Sequence, residues 1–234
     1  MDTQAKYLEL LQACLTRTIF LEEGADFGQR FIGADWPARA ETMIGIIRMN
    51  NIRDCLEQII KEQIPGDVIE CGVWRGGACI WMKAILETFH EERDVYVADS
   101  FNGFPEPTMV CDKEAWYLHA PELKVSRKTV EENFQKYDLL DARVKFVEGF
   151  FSATLPTLKG PFALIRADGD LFASTTDILE NLYTKLSVGG YMIIDDYNGM
   201  MSCRDAVDKY RETHHIIEPL IAVDHTAAYW QKQR

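Results

Sequence analysis

Three acidic clusters stand where apolar runs end. Val95–Ala98 runs into Asp99, Ala163–Ile165 runs through Arg166 into Asp168-Gly169-Asp170, and Tyr191–Ile194 runs into Asp195-Asp196. Short apolar runs bounded by turn signals read as buried parallel strands. An open α/β sheet binds its ligands at the carboxyl ends of such strands. Carboxylates gathered in one crevice repel one another and call for cations or donor-rich ligands. Oxygen donors suit a hard cation such as magnesium, which takes a few carboxylates and leaves positions for water and substrate. These motifs contain no His or Cys, which argues against zinc. By itself Asp195-Asp196 would open a turn before Asn198-Gly199, and Asp170 would cap a helix. With both clusters on neighbouring strand ends, a metal held by Asp168, Asp195 and Asp196 is the better reading.

A glycine-rich turn, Glu70–Gly77, follows another apolar run and opens onto the same crevice. Its spacing is not GxGxxG: Glu70 stands where a dinucleotide site has its first glycine, and a pyrophosphate would meet a carboxylate there. A cationic ligand, such as the sulfonium and ammonium groups of S-adenosylmethionine, would be favoured instead. Asp99, ending the next strand, can accept hydrogen bonds from two ribose hydroxyls. Taken singly, Gly76 and Gly77 could serve helix packing and Asp99 could cap a turn. In this order and at strand ends, the set points to a class I methyltransferase core.

The elements that must position these groups follow from periodicity. The spacing predicts helices over 5–21 and 42–63, the second stopped by Pro65-Gly66-Asp67, with a loop over 23–41 marked by Gly24, Gly33 and Trp36-Pro37. Strands are predicted at Val68–Cys71, Val95–Ala98, Val144–Val147, Ala163–Arg166 and, after Gly189-Gly190, Tyr191–Ile194. Helices are predicted over Gly77–Phe89, Ser126–Tyr137, a segment opened by Ser174 with Asp177 as a capping-box pair, and Cys203–His214. Ile216–Val223 and Ala227–Trp230 form a closing hairpin around Asp224-His225-Thr226. The expected fold is a Rossmann-like, mostly parallel seven-stranded sheet with helices on both faces. The division expected is a helical extension and lid over 1–64 and a methyltransferase domain over 65–234. The irregular stretches 23–41 and 100–122 read as lids or pocket walls.

Composition narrows the partners. The 234 residues carry a net charge of −12, which disfavours nucleic acid and anionic membranes. No window is long enough for a membrane span, and the start of the chain, with Asp2, Glu9, Glu22 and Glu23 around Leu8, Leu10, Leu11, Leu15 and Ile19, is an amphipathic helix rather than a signal peptide. Its apolar face predicts a homo-oligomer, a dimer, with this segment near the interface or over the active site. The six cysteines form no CxxC pair and read as core hydrophobes in a reducing compartment, so a cytoplasmic location is expected.

Four long segments resemble the macrocin O-methyltransferase family: PGDVIECGVWRGGA (65–78), VADSFNG (97–103), RADGDLFAST (166–175) and GGYMIIDDY (189–197). The likeness extends to Trp36-Pro37, Glu41–Gly45, Cys203–Val207 and Ala228–Trp230, and so covers most of the chain. The resemblance implies methylation of sugar hydroxyls on antibiotic-type natural products, with magnesium on Asp168, Asp195 and Asp196. It implies S-adenosylmethionine held by Glu70, Gly72, Asp99, Ser100 and the Gly149-Phe150 turn, with Asp168 also near the methyl donor and Thr42, Met43 and Ser126 as outer contacts. Asp170 matches the family's general base. The chain departs from the family pattern at Asn198–Met201, which lacks an expected proline, and at 104–122. Both stretches are expected to touch the acceptor.

The chemistry expected is in-line displacement at a sulfonium methyl. A metal would lower the pKa of an acceptor hydroxyl, a vicinal diol being the natural chelator, and Asp170 would take the proton. His225 and His214-His215 are alternative bases in turn or helix-end positions. Rival readings are a nucleotide-sugar glycosyltransferase using Asp168-Gly169-Asp170 as a DxD site, a catechol-type methyltransferase, and a non-catalytic module on this scaffold. Aromatic residues expected near the pocket, Trp36, Trp74, Phe101, Phe104 and Trp116, do not separate a sugar from a flat aglycone.

Overall fold

Hydrophobic segments alternating with amphipathic ones build a three-layer α/β sandwich. The computed structural model describes residues 3–113 and 115–234, and only the backbone at Trp116. Asp2 and the Trp116 side chain, both named above, lie outside the described residues. The chain forms α1 (Thr3–Leu15), α2 (Phe27–Ile32), α3 (Gly45–Lys61), β1 (Asp67–Cys71), α4 (Gly77–Thr88), β2 (Val95–Asp99), α5 (Arg127–Lys136) and β3 (Val144–Glu148). A single turn, α6 (Phe151–Thr154), leads to β4 (Phe162–Ala167), α7 (Phe172–Leu182), β5 (Leu186–Ile194), α8 (Met201–Thr213), β6 (Ile221–Ala222) and β7 (Ala228–Gln231). The sheet order is β3-β2-β1-β4-β5-β7-β6. The first five are parallel, and β7 runs antiparallel to β5 and β6. The order reverses between β1 and β4, where open sheets of this kind form their binding crevice.

Alternation along the strands feeds two cores. Val68, Val97 and Ile193 pack with α1, α3, α4 and α5 on one face, and Ile69, Ile165, Met192 and Ile194 pack with α7 and α8 on the other. Leu8, Leu11 and Leu15 of α1 belong to the first core. No described helix is long and apolar enough to cross a membrane. The six cysteines are free, four of them buried.

Several boundaries differ from the sequence expectation, β5 among them, which begins at Leu186 rather than Tyr191. Helix α1 stops at Leu15 rather than 21, because Arg17 takes a left-handed φ of 55° and the Thr16 hydroxyl donates to the Gln12 carbonyl at 2.8 Å. The stretch 23–41, expected as loop, contains α2: Asp26 caps it by accepting from Gln29 N at 2.8 Å and Gly33 closes it at φ 66°. Six residues are too few to show a helical period. Helix α7 starts at Phe172, so Ser174 lies inside it and does not cap it. The first strand of the hairpin shrinks to Ile221–Ala222, since Pro219 just upstream has no N–H to give a ladder.

Candidate active site

The crevice is a cavity of about 670 Å³ at the carboxyl ends of β1, β2, β4 and β5. The backbone ladder continues past the strands, with Gly72 N donating to Ala98 O, Asp168 N to Cys71 O and Asp195 N to Ala167 O, each at 2.9 Å. These bonds fix the acidic clusters relative to one another. Asp168, Asp195 and Asp196 each offer an oxygen, and those oxygens lie within 4.8 Å of one another. Oδ2 of Asp196 is buried and has no hydrogen-bond partner. An unmatched carboxylate oxygen beside two other carboxylates fits a divalent cation and is costly without one.

Two guanidiniums hold the cluster together. Arg166, on β4 and 1% exposed, donates to Glu70 and Asp195 through very short bonds and to Asp168 Oδ2 at 2.8 Å. Arg48, from α3, donates to Asp195 Oδ2 at 2.5 Å and to Gly33 O at 2.9 Å, and its Nε lies 3.1 Å from Asp224 Oδ2. Burial pushes Asp195 toward the neutral acid, but Arg166 and Arg48 outweigh it and hold the carboxyl below its usual range. Glu70 receives Cys79 Sγ at 2.8 Å; burial lifts its carboxyl to about 7 despite Arg166. Burial and the Asp168 charge lift Asp170 to about 8, and burial with Asp170, Asp168 and Asp195 lifts Asp196 well above the usual carboxylate range. The Asp170 charge beside Asp196 disfavours ionising both carboxyls at once.

The glycine turn is built by close approach. A Cβ on Gly72 would lie 1.9 Å from the Asp168 carbonyl oxygen, and one on Gly77 would lie 2.5 Å from that of Glu41. Asp99 is spent on its own surroundings: Oδ2 accepts from Val73 N at 2.9 Å and Oδ1 from Phe101 N at 2.8 Å. The carboxylate thus shapes the turn as well as facing the cavity, and burial raises its pKa.

Among the sequence-derived residues, Thr42, Met43, Glu70, Gly72, Asp99, Ser100, Phe150, Asp168, Asp170, Asp195 and Asp196 all line the cavity. Ser126 does not. Its hydroxyl caps α5 by accepting from Thr129 N at 3.2 Å. Gly149 is also absent from the lining; its N–H donates to Asp99 O at 2.9 Å and sets up the turn that presents Phe150. Trp36, Trp74 and Phe104 line the cavity, whereas Phe101 turns inward and packs on Phe146 with ring centroids 6.0 Å apart. His225 reaches the cavity. His214 stacks on Tyr210 at 4.0 Å, away from it.

Sequence reasoning missed both guanidiniums as counter-ions. Arg166 carried a signal, a charge inside an otherwise apolar strand, which is buried only when paired. Arg48 carried none, because α3 places it at a position that periodicity alone leaves neutral.

Comparison with known proteins agrees with this geometry. The family model described as Macrocin-O-methyltransferase (TylF) matches residues 21–232. The demethyldecarbamoylnovobiocin O-methyltransferase of Streptomyces niveus is 50% identical over 209 residues, covering 86% of this chain and 79% of that protein. A tetracenomycin-C 4'-O-methyltransferase of Streptomyces olivaceus, named for its 2,3-dimethoxy-alpha-L-rhamnosyl substrate, is 42% identical over 98% of this chain and 94% of its own. The solved structure of the O-methyltransferase NovP superposes with a TM-score of 0.95 at 45% identity, over 99% of this chain and 100% of that one. Matched by the family model over most of its length and carrying the seven-stranded fold of class I methyltransferases, this chain belongs to the macrocin O-methyltransferase family and is an O-methyltransferase.

Proposed function

We propose that the protein transfers the methyl group of S-adenosylmethionine to a sugar hydroxyl of a glycosylated natural product, with magnesium held by Asp168, Asp195 and Asp196. The observation that carries this reading is the convergence of those three carboxylates, one oxygen unpartnered, in a cavity that also contains the glycine turn and Asp99. Of five carboxylates, Glu70, Asp168, Asp170, Asp195 and Asp196, two guanidiniums bond Glu70, Asp168 and Asp195 and leave Asp170 and Asp196 without one. A divalent cation and a sulfonium would offset the remaining negative charge. Among the relatives, one is named for 4'-O and another, the mycinamicin III enzyme of Micromonospora griseorubida, for 3''-O methylation.

Bound magnesium supplies a Lewis acid that lowers the pKa of an acceptor hydroxyl, and bound S-adenosylmethionine supplies the methyl group. The chain's own residues do the rest. Gly72, whose φ of 87° and contact with Asp168 leave no room for a side chain, lets a ligand approach the backbone. Asp99 and Ser100 face the ribose, and Glu70 favours a cation at the strand end. Asp170 accepts the acceptor's proton as the new O–C bond forms and the S–C bond breaks, leaving a methyl ether and S-adenosylhomocysteine.

The glycosyltransferase reading falls with the family assignment. It would also need cations for a diphosphate. Among the described residues the cavity is lined by one arginine and no lysine, and that arginine, Arg48, is already bonded to Asp195, Asp224 and Gly33. The same scarcity argues that the acceptor is a glycoside without phosphate groups.

Transfer of a labelled methyl group in the presence of chelator tests the proposal. Chelator is expected to abolish transfer and leave calorimetric cofactor binding largely intact, with magnesium restoring activity. Asp170→Asn should slow turnover by about 10²–10⁴-fold while metal binding persists. Full activity in excess chelator would overturn the metal assignment.

A further inference from the structure

Helix α7 begins without a cap of its own. Leu171 occupies the N-cap position and offers no side-chain bond. The amides of the first turn are met instead by Asp112: Oδ1 accepts from Phe172 N at 2.8 Å and Oδ2 from Ala173 N at 3.4 Å, across sixty positions of sequence. Asp112 is 1% exposed. A carboxylate so buried is retained where it is matched to donors, and a helix N-terminus supplies both N–H groups and a favourable dipole.

Asp170 immediately precedes this helix. It has a φ of 53°, and the N–H of Leu171 donates to Gly169 O across it at 2.5 Å. A non-glycine residue held in a left-handed three-residue turn needs its surroundings to keep it there. Asp112 also belongs to the connection between β2 and α5, which lines the cavity through Phe104, Pro105, Thr108 and Tyr117. The hydroxyl of Tyr117 lies 3.1 Å from Met200 Sδ, at the start of α8. One connection therefore touches the cavity, the start of α7 and the start of α8.

We propose that Asp112 is a positioning residue for methyl transfer: by fastening the start of α7 to the cavity wall, it holds Asp170, directly before that helix, in the conformation that presents it to the cavity. The inference rests on Asp170 being the base. Loss of Asp112 should then disturb proton removal and spare the methyl donor, whose end of the cavity is built from Gly72, Asp99 and Ser100.

Asp112→Ala in the full chain, assayed well below its melting temperature, is expected to lower kcat by about 10²-fold, the scale of a misplaced reacting group. Cofactor affinity by calorimetry should be unchanged, and Asp112→Asn, which keeps an acceptor oxygen, should recover most of the rate. In an Asp170→Asn background, Asp112→Ala should add no further loss, since the two substitutions act on one function. Should the alanine variant not fold, Asp112→Glu keeps the charge but displaces the carboxylate, and its kcat should fall. A folded Asp112→Ala or Asp112→Glu protein with wild-type kcat overturns the inference, as does an undiminished further loss in the Asp170→Asn background. Full activity of Asp170→Asn alone would instead remove the base assignment itself.

Discussion

Replacing Gly72 by alanine probes the joint between β1 and β4 on which the carboxylate triad depends. The new Cβ would lie 1.9 Å from the Asp168 carbonyl oxygen and 3.4 Å from its Cβ, at a φ of +87°. Real Cβ contacts do not fall below 3.0 Å, so the two strand ends must part by about 1 Å. The bonds from Gly72 N to Ala98 O and from Asp168 N to Cys71 O, each 2.9 Å, oppose that movement. The left-handed backbone costs about 1–2 kcal/mol for an L-residue, and forced displacement in a packed interior costs a further ~1–3 kcal/mol. The variant should therefore lose about 2–5 kcal/mol of stability, the sum of those two effects. Because Asp168 moves with its carbonyl, its oxygen leaves register with Asp195 and Asp196, and a shift of about 1 Å at a reacting centre costs about 10²-fold in rate. Thermal unfolding measures the first quantity and labelled-methyl transfer across a magnesium titration the second. A folded Gly72→Ala protein with wild-type turnover and unchanged metal dependence would refute the argument that this contact places Asp168.

Three further outcomes are expected. Asp99→Ala should weaken S-adenosylmethionine binding by about 1.5–3 kcal/mol and also lower the melting temperature, because Val73 and Phe101 lose their acceptor; calorimetry showing unchanged affinity in folded protein would remove Asp99 from the cofactor site. Glu70 and Asp170 have folded-state pKa values raised to about 7 and about 8, so the metal-free native state binds more protons than the unfolded chain between about pH 4 and 8. Their contribution to stability is present at acid pH and lost as pH rises through 7 and 8; a metal-free melting temperature that climbs steadily from pH 5.5 to 8.5 would contradict it, and added magnesium should reduce the loss. The Leu8, Leu11 and Leu15 face is buried within the chain, yet Tyr7, Leu10, Ile19, Phe20, Phe27 and Phe31 remain exposed, and we propose that they join two copies. Light scattering should report a dimer that Phe20→Glu with Phe27→Glu dissociates, and a monomeric wild type at micromolar concentration would rule it out.

Much of the architecture was legible because apolar runs and turn residues act locally. Val68–Cys71, Val95–Ala98 and Val144–Val147 each lie inside an observed strand, and Asp99, Asp168, Asp195 and Asp196 stand where parallel strands hand the chain to the crevice. Boundaries were less legible where a single residue's backbone decided them, as at Arg17, or where the element was as short as α2. The Ser174 cap failed for a different reason: serine followed by an acid three residues later is a local pattern, and the real cap, Asp112, comes from a distant segment that no window contains.

Residue type and near-neighbour spacing were enough to read the sheet, the acidic strand ends, the glycine turn and the family. How those charges coexist came from the folded arrangement. Arg48 and Arg166 reach Asp195 across 147 and 29 positions of sequence, and Asp99 accepts from Val73 N across 26. Such partnerships follow from which buried groups meet once the strands align. A carboxylate removed from water takes the nearest available donor, and that donor is set by packing rather than by order along the chain.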